Sequence, residues 1–380
     1  MIADLKLQIA RFENYLRITK KSTKFAPSNM ENLLGKTLEE LQAVAIAAGL
    51  PKYAGKQLAE WLYQKRVSTF DAMTNLSVKN RETLKASYSI GRHHPTAEAV
   101  SADGTRKYLF TVGDTSIESV YIPEDDRATL CVSTQAGCKM GCRFCMTGTL
   151  GFHGHLSAGE ILNQIFEIDA LNGNSLTNIV YMGEGEPMDN IDHVLRSLDI
   201  MTAPYGPAWS PKRITVSSVG VIPGLKRFLN ESECHLAISL HNPFTEERAA
   251  IMPAEKLYPI REVVRLLKQY DFSHQRRVSF EYVCKNGQND TLRHANELLR
   301  LLHGIDCRIN LIRLHQNPAT KNTENGSDEQ QMERLRDYLT AKGITTTIRR
   351  SRGEDILAAC GMLVNALNEG GQPNVPMPRP

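Results

Sequence analysis

The sequence predicts an α/β fold in which consecutive βα units curl into a full or partial barrel behind a small helical domain. Three observations carry this. From about residue 128, short β-rich runs alternate with amphipathic helical runs, the pattern of parallel strands joined by crossover helices. Residues 31–95 instead carry apolar residues at helical spacing. Polar or glycine-rich signals also recur after successive strands: cysteines after the first, "GEGEP" after the second, "SVG" after the third and "HNP" after the fourth. Folds of this kind bind ligands at the C-terminal strand ends.

Taken in order, residues 1–30 read as an extension, a helix followed by the polar linker "TKKSTKFAPSN". Residues 31–95 read as a helical accessory domain. "TLEELQAVAIAAGL" opens with a Thr-x-x-Glu start resembling a capping box. "KYAGKQLAEWLYQKRV" is basic on one face and aromatic on the other, and "DAMTNLSVKNRETLKASYSI" reads as a further helical hairpin. Residues 96–127 read as a β-rich connector, because Lys107–Pro123 alternates in the strand manner around a Gly-Asp turn. The barrel then spans 128–368. Its strands are expected at 128–132, 178–182, 213–218, 235–240, 277–283 and 308–312, with a last one at 345–350 before the amphipathic run "GEDILAACGMLVNALN". Helical candidates between them include "SAGEILNQIFEIDAL", "NIDHVLRSLDIM", "IREVVRLLKQY", "TLRHANELLRLL" and "EQQMERLRDYLTAKG". The Gly/Pro-rich tail, 369–380, reads as disordered.

Composition bounds the function. The chain has 380 residues, 41% of them apolar, enough for one large core and a small accessory domain. No run approaches the roughly 18 apolar residues of a membrane span, and the charged N-terminus lacks the apolar stretch of a signal peptide. The expectation is a cytoplasmic protein without a membrane partner. Its thiols stay reduced there, so clustered cysteines suggest metal or redox chemistry. A net charge of +3 excludes a strongly basic nucleic-acid coat and permits local basic patches.

Four of the eight cysteines fall within "CVSTQAGCKMGCRFC", Cys131 to Cys145. Cys138, Cys142 and Cys145 are spaced C-x3-C-x2-C, and Cys131 stands seven residues upstream. Three thiolates can hold three irons of a [4Fe–4S] cube and leave the fourth open for a substrate or cofactor. The rival reading is a Cys3His zinc site completed by His153 or His155. The plainest is a set of buried, unligated cysteines. Cys234, Cys284 and Cys307 lie on or beside strands and read as core.

C-x3-C-x2-C with an aromatic residue, Phe144, before the last cysteine resembles the signature of radical S-adenosylmethionine (SAM) enzymes. The resemblance sharpens over "LLGKTLEEL", "MTNLS", "DGTRKYLF", "YIPEDDRATLCVSTQAGC", "GEGEPMDN", "AISLHNP" and "RGEDILAACG". Together these resemble the RlmN-type dual-specificity rRNA and tRNA adenine C2-methyltransferases, with the Cfr C8-methyltransferases as sister family. The match covers nearly the whole chain apart from its first 25 or so residues.

The resemblance implies a radical SAM partial (β/α)6 barrel, a [4Fe–4S] cluster on Cys138, Cys142 and Cys145, and two SAM molecules per turnover. It implies methylation of C2 of adenosine in 23S rRNA, at the peptidyl-transferase centre, and in tRNA, next to the anticodon. An external electron donor such as flavodoxin or ferredoxin follows from the same likeness. Cys360, which alone reads as core, matches the cysteine methylated by the first SAM. The second SAM, cleaved at the cluster, yields the radical that activates this methyl group for addition to the base. Cys131 matches the cysteine that resolves the covalent protein–RNA link and ends in a disulfide with Cys360. Glu118 matches the proton acceptor. Adenine C2 is not nucleophilic, so a radical route is chemically sensible.

For SAM itself the resemblance implies Gly185, Glu186, Ser217, Ser239, Leu240 and His241. Without it, a Gly-rich strand end is a turn, and Ser217 and Ser239 read equally as strand-end caps. The family usually has an asparagine after the sixth strand. Here His315 stands in register, with Asn317 two residues later; either could contact the ribose, and register favours His315. RNA contacts are expected from Arg276–Val278, from residues 348–352 and from residues 52–66, with a target base flipped from its stack. Two other functions remain open: a Cfr-like C8 methyltransferase, from which "QAGCKMGCRFCMTGTLGF" and "DGTRKYLF" lean away, and a zinc-stabilised RNA-binding protein.

Overall fold

The computed structural model describes residues 30–273, 278–315 and 325–363. Several sequence expectations lie outside them: the helix and linker of residues 1–29, Arg276, Arg277, Asn317 and the tail 369–380.

The N-terminal unit is built from local signals. Thr37 caps α1 (Leu38–Ala47), and Glu40 returns the bond to the Thr37 N–H at 2.8 Å, a complete capping box. α2 (Ala54–Ala59) runs on into a π turn through Gln64. The expected hairpin over 71–90 is only half helical. Its first arm is a single 3-10 turn, Phe70–Ala72, and α3 (Val78–Ser87) starts at the Ser77 cap. The few residues before Ser77 cannot nucleate a helix, and Asn75 instead accepts the Trp61 indole N–H at 2.5 Å. β1 (Glu31–Asn32) and β2 (Tyr88–Ser89) close the unit as a parallel pair.

Three antiparallel strands follow: β3 (Ala97–Val100), β4 (Arg106–Val112) and β5 (Thr115–Pro123). β5 pairs antiparallel with β6 (Ala128–Cys131), so the connector joins the barrel sheet rather than bridging to it. The parallel strands are β6, β9 (Asn178–Tyr181), β10 (Ile214–Ser218), β11 (His235–Ser239), β12 (Val278–Cys284), β13 (Cys307–Arg313) and β14 (Thr345–Ile348). Between β6 and β9 a small hairpin, β7 (Gln135–Gly137) with β8 (Phe152–His155), stands off the main sheet. The ten-stranded order is linear, β14-β13-β12-β11-β10-β9-β6-β5-β4-β3, so the barrel stays open.

The crossover helices are α4 (Ala158–Leu171), α5 (Ile191–Thr202), α6 (Ile222–Glu231), α7 (Thr245–Ile251), α8 (Ile260–Leu267), α9 (Leu292–Leu302) and α10 (Glu329–Ala341). α4 carries a second capping box, Ser157 with Glu160. The N-terminal unit docks on α4 through Tyr63 against Phe166, with ring centroids 6.4 Å apart, and through Arg66–Asp169 and Arg92–Glu167 ion pairs at 2.5 and 2.6 Å. Both units share one hydrophobic core. Cys234, Cys284 and Cys307 are buried in it, as read from the sequence.

After β14 the chain turns instead of continuing as an amphipathic helix. Gly353, Leu357 and Gly361 all take positive φ, and only Glu354–Ile356 forms a 3-10 turn. This segment is tied on two sides. Asp355 accepts from Ser101 Oγ and the Ala102 N–H, and Asp103 accepts from the Gly353 N–H. On the other side, the Gly361 carbonyl accepts from the Met146 N–H at 2.7 Å, and the Leu363 carbonyl from Thr147 Oγ1 at 3.0 Å. Cys360 therefore stands exposed on a turn beside the cysteine loop, not in the core.

Candidate active site

The β7–β8 hairpin frames the cysteine loop. Its close is possible only at glycine: a Cβ on Gly137, at φ +69°, would sit 1.9 Å from the Gly151 carbonyl oxygen. Cys138 follows directly, its N–H bonded to Gly151 O at 2.8 Å. Cys138, Cys142 and Cys145 line one cavity together with Gly185, Glu186, Ser217, Ser239 and His241. That cavity takes its walls from the C-terminal ends of β9 to β14, which is what curvature of the sheet produces.

Burial pushes the Cys138 thiol up to about 12 and raises Cys142 and Cys145 as well; for Cys142, repulsion from the other two sulfurs adds to it. Three facing thiols that cannot ionise alone suit a cationic iron–sulfur group, which supplies the missing positive charge. The zinc alternative fits less well. His153 Nε2 lies 3.1 Å from the Leu150 carbonyl, and His155 Nδ1 lies 3.1 Å from the Gln135 amide. Among the described residues no three His, Cys, Asp or Glu side chains converge as a single ion requires. A cube spreads its thiolates over three corners, so its ligands need not converge on one point.

The opposite wall carries Glu186. Glu186 is buried, and burial lifts its carboxyl to about 7 against the pull of the Ser218 hydroxyl and the Val219 and Met188 N–H groups. Its two oxygens accept from Met188 N at 3.0 Å and Val219 N at 2.9 Å, so it also ties the second-strand loop to the third. Gly185 brings the backbone against β7: at φ +96°, a Cβ there would meet Gln135 Cβ at 2.5 Å. His241, at φ +56°, accepts the Val283 N–H on Nδ1 at 3.0 Å, and burial holds it neutral, down to about 3. Phe144 meets its ring edge-on at 4.7 Å.

Arg248, fully buried, fixes these strand ends. It is ion-paired with Glu255 and donates to the carbonyls of Leu240 (2.9 Å), Ser239 (2.9 Å) and Val219 (3.0 Å). Leu240 is fully buried and does not line the cavity; its backbone bonds Arg248 and the Glu281 carbonyl.

A second cavity adjoins the first. Cys131, Cys360, His315 and Arg349 line it; Cys360, Arg349, Met182, Ile312 and Gly361 belong to both. Cys131 is thus apart from the cluster cysteines, at the end of β6, and near enough to Cys360 for the Cys360 charge to raise the Cys131 thiol. His315, expected from register to contact the SAM ribose, lines this second cavity, bonded to Ser351 Oγ at 2.7 Å. Glu118 is fully buried behind both cavities and paired with Lys107 at 3.0 Å. Lys107 also reaches the Leu357 carbonyl at 3.4 Å, which links Glu118 to the Cys360 turn.

Sequence reasoning missed Arg248, Glu281 and Glu184. Glu281 and Asn310 bond across β12 and β13 at 2.7 Å; a glutamate between Phe280 and Tyr282 in the β-rich run "RVSFEYV" was the available signal. Glu184 gathers the N–H groups of Glu118 (2.7 Å) and Gly137 (3.3 Å) on its carboxylate. Of the expected RNA contacts, Arg349, Arg350 and Arg352 line the second cavity, whereas Arg66 is committed to Asp169 and Lys65 lies over Trp61 at 3.7 Å.

A family model described as the ribosomal RNA large subunit methyltransferase N-terminal domain matches residues 31–90, and the radical SAM superfamily model matches residues 132–302. The "Probable dual-specificity RNA methyltransferase RlmN" of Parabacteroides distasonis is 58% identical over 337 residues, 88% of this chain and 97% of the relative. The chain belongs to the RlmN family. The dual-specificity RNA methyltransferase RlmN of Syntrophotalea carbinolica is 39% identical over 87% of this chain and 89% of its own length. The crystal structure of a radical SAM methyltransferase from Sphaerobacter thermophilus superposes with a TM-score of 0.83 at 38% identity, covering 88% of this chain and 99% of that one. Membership in the RlmN family and the radical SAM superfamily implies a [4Fe–4S] cluster and SAM, in accord with the donor set described above. No helix among the described residues is long and apolar enough to cross a membrane.

Proposed function

We propose that the chain methylates C2 of adenosine in 23S rRNA and tRNA through a methylated Cys360 and a covalent protein–RNA intermediate. One observation carries the reading: Cys131 and Cys360 line a cavity that shares its wall with the one holding Cys138, Cys142, Cys145 and Glu186. When bound, the cluster and SAM supply the 5′-deoxyadenosyl radical, with electrons from an external donor such as flavodoxin or ferredoxin. The protein's own part is placement. Cys138, Cys142 and Cys145 hold the cluster. Glu186 receives the SAM ammonium, Gly185 lets the ligand approach the backbone, and Ser217, Ser239, Leu240 and His241 shape the strand ends around it. Cys360 carries the methyl group on a turn fixed to both the connector and the cysteine loop. Cys131 waits on the far side, and Glu118 accepts the proton from the base.

The decisive measurement is mass spectrometry of adenosines from 23S rRNA and tRNA of a strain lacking this gene. 2-Methyladenosine is expected to vanish from both and to return with the wild-type gene. Loss of 8-methyladenosine instead would assign the sister reaction, and no change in either RNA would sink the proposal.

Two variants test the placement. Alanine at Cys138, Cys142 or Cys145 should each abolish cluster absorbance after anaerobic reconstitution, while Cys131→Ala keeps it; zinc in place of iron and sulfide would overturn the assignment. Glu186→Ala should leave iron content intact and weaken SAM. A charge-assisted hydrogen bond is worth about 1.5–3 kcal/mol, roughly a 10- to 150-fold rise in Kd by calorimetry. An unchanged Kd removes Glu186 from the site.

A further inference from the structure

Cys131, Cys360 and the Arg349 guanidinium line the second cavity together, and Cys360 and Arg349 also belong to the wall it shares with the first. Arg349 follows β14. Its Nη1 stands 3.3 Å from Glu281 on β12 and 3.6 Å from the Met182 sulfur beyond β9, which fixes the head from two sides. A third of the side chain remains exposed. The charge that raises Arg349 most is that of Cys360, and Cys131 adds to it, so one cation serves both sulfurs.

The other charged groups facing this cavity are engaged elsewhere or lie at its rim. Glu124 and Arg127, in the β5–β6 turn, hold each other at 2.8 Å. Arg352 is bonded to Asp103 at 3.2 Å and to the Pro123 carbonyl at 2.8 Å. His315 rests against Ser351 and lies 3.6 Å from Glu354. Arg350 is exposed at the edge.

At rest, burial and repulsion from Cys360 push the Cys131 thiol up to about 12, with Arg349 opposing both. That balance suits a resolving thiol that must stay quiet until needed. In the proposed cycle the Cys360 sulfur becomes a thioether and can carry no negative charge. The repulsion then disappears, and the guanidinium has only one sulfur left to face. We propose that Arg349 is a positioning residue for product release: it holds the Cys131 sulfur as a thiolate aimed at Cys360 once Cys360 is alkylated. This rests on the covalent cycle proposed above.

The step balances. Cys131 Sγ attacks Cys360 Sγ, and the S–S bond forms as the bond from Cys360 Sγ to the methylene carbon breaks. The electron pair leaves with that carbon, which takes a proton from solvent and becomes the methyl group on the base. Two sulfurs are oxidised while the methylene is reduced, so no outside redox partner enters the step. A dithiol reductant reopens the disulfide before the next turnover.

The test compares Arg349→Gln and Arg349→Lys with Cys131→Ala as control. Covalent enzyme–RNA species are followed on denaturing gels with and without ribonuclease, between pH 6.5 and 9.5. Arg349→Gln is expected to slow resolution at least tenfold at pH 7 and to recover as rising pH ionises Cys131. Arg349→Lys should fall between, because it keeps the charge without the planar fork. A second readout needs no turnover. In a Cys360→Ser background, Arg349→Gln should slow alkylation of Cys131 at pH 8 about tenfold, as read peptide by peptide by mass spectrometry, since the thiolate is the reacting form. An unchanged alkylation rate, or slow resolution that ignores pH, overturns the role of Arg349. Absence of any adduct with Cys131→Ala overturns the covalent cycle itself, and the proposal with it.

Discussion

Cys131→Ala is expected to leave the enzyme covalently bound to RNA, and Cys360→Ala to yield neither adduct nor product. The two sulfurs differ in setting as their roles demand. Cys360 is exposed on a turn that the Met146 N–H and Thr147 Oγ1 pin beside the cysteine loop. A methyl group there lies on the wall shared by both cavities. Cys131 is held at the end of β6 in the second cavity only. An adduct through Cys360 has stable C–C and C–S bonds, so it persists until a thiolate attacks. Each variant, purified from cells, is run on a denaturing gel with and without ribonuclease. A ribonuclease-sensitive shifted band is expected for Cys131→Ala alone. The band with Cys360→Ala instead would reverse the roles, and the band with neither would remove the covalent mechanism.

Arg248→Ala should be the most destabilising single change outside the cysteines. Arg248 and Glu255 are both fully buried, and the guanidinium spans three strand-end carbonyls. Glu255 also accepts the Ile260 N–H at 2.9 Å. Removing the cation leaves a buried carboxylate without its counter-charge, which costs about 3–5 kcal/mol. The unfolding free energy should fall by that amount, read as a lower denaturation midpoint at an unchanged slope. SAM affinity should fall too, because Val219, Ser239 and Leu240 lose their common anchor. Arg248→Met combined with Glu255→Leu should recover part of the stability, since no lone charge remains. A single variant within about 1 kcal/mol of wild type would show that the pair does not organise these loops.

Where sequence reading went astray, a local signal pointed one way and a distant partner the other. "GEDILAACG" has helical periodicity, yet positive φ at Gly353, Leu357 and Gly361 bends it into a turn that Asp103 and Asp355 hold from the connector.

By itself the sequence determined the succession of strands along the chain, the helical crossovers and the spacing of Cys138, Cys142 and Cys145. These are local properties: side-chain period follows from backbone geometry, and a loop's ligands are fixed by residues a few positions apart. The tertiary structure alone decided that the connector completes the sheet and that Arg248 gathers three carbonyls from two strand ends. It also decided that Arg349 lines one cavity with Cys131 and Cys360. Those relations join residues from different strands, so they depend on register and on how the open sheet curves. An arginine on a short helix, or a cysteine between alanines, carries no mark of the carbonyl or the sulfur it will meet.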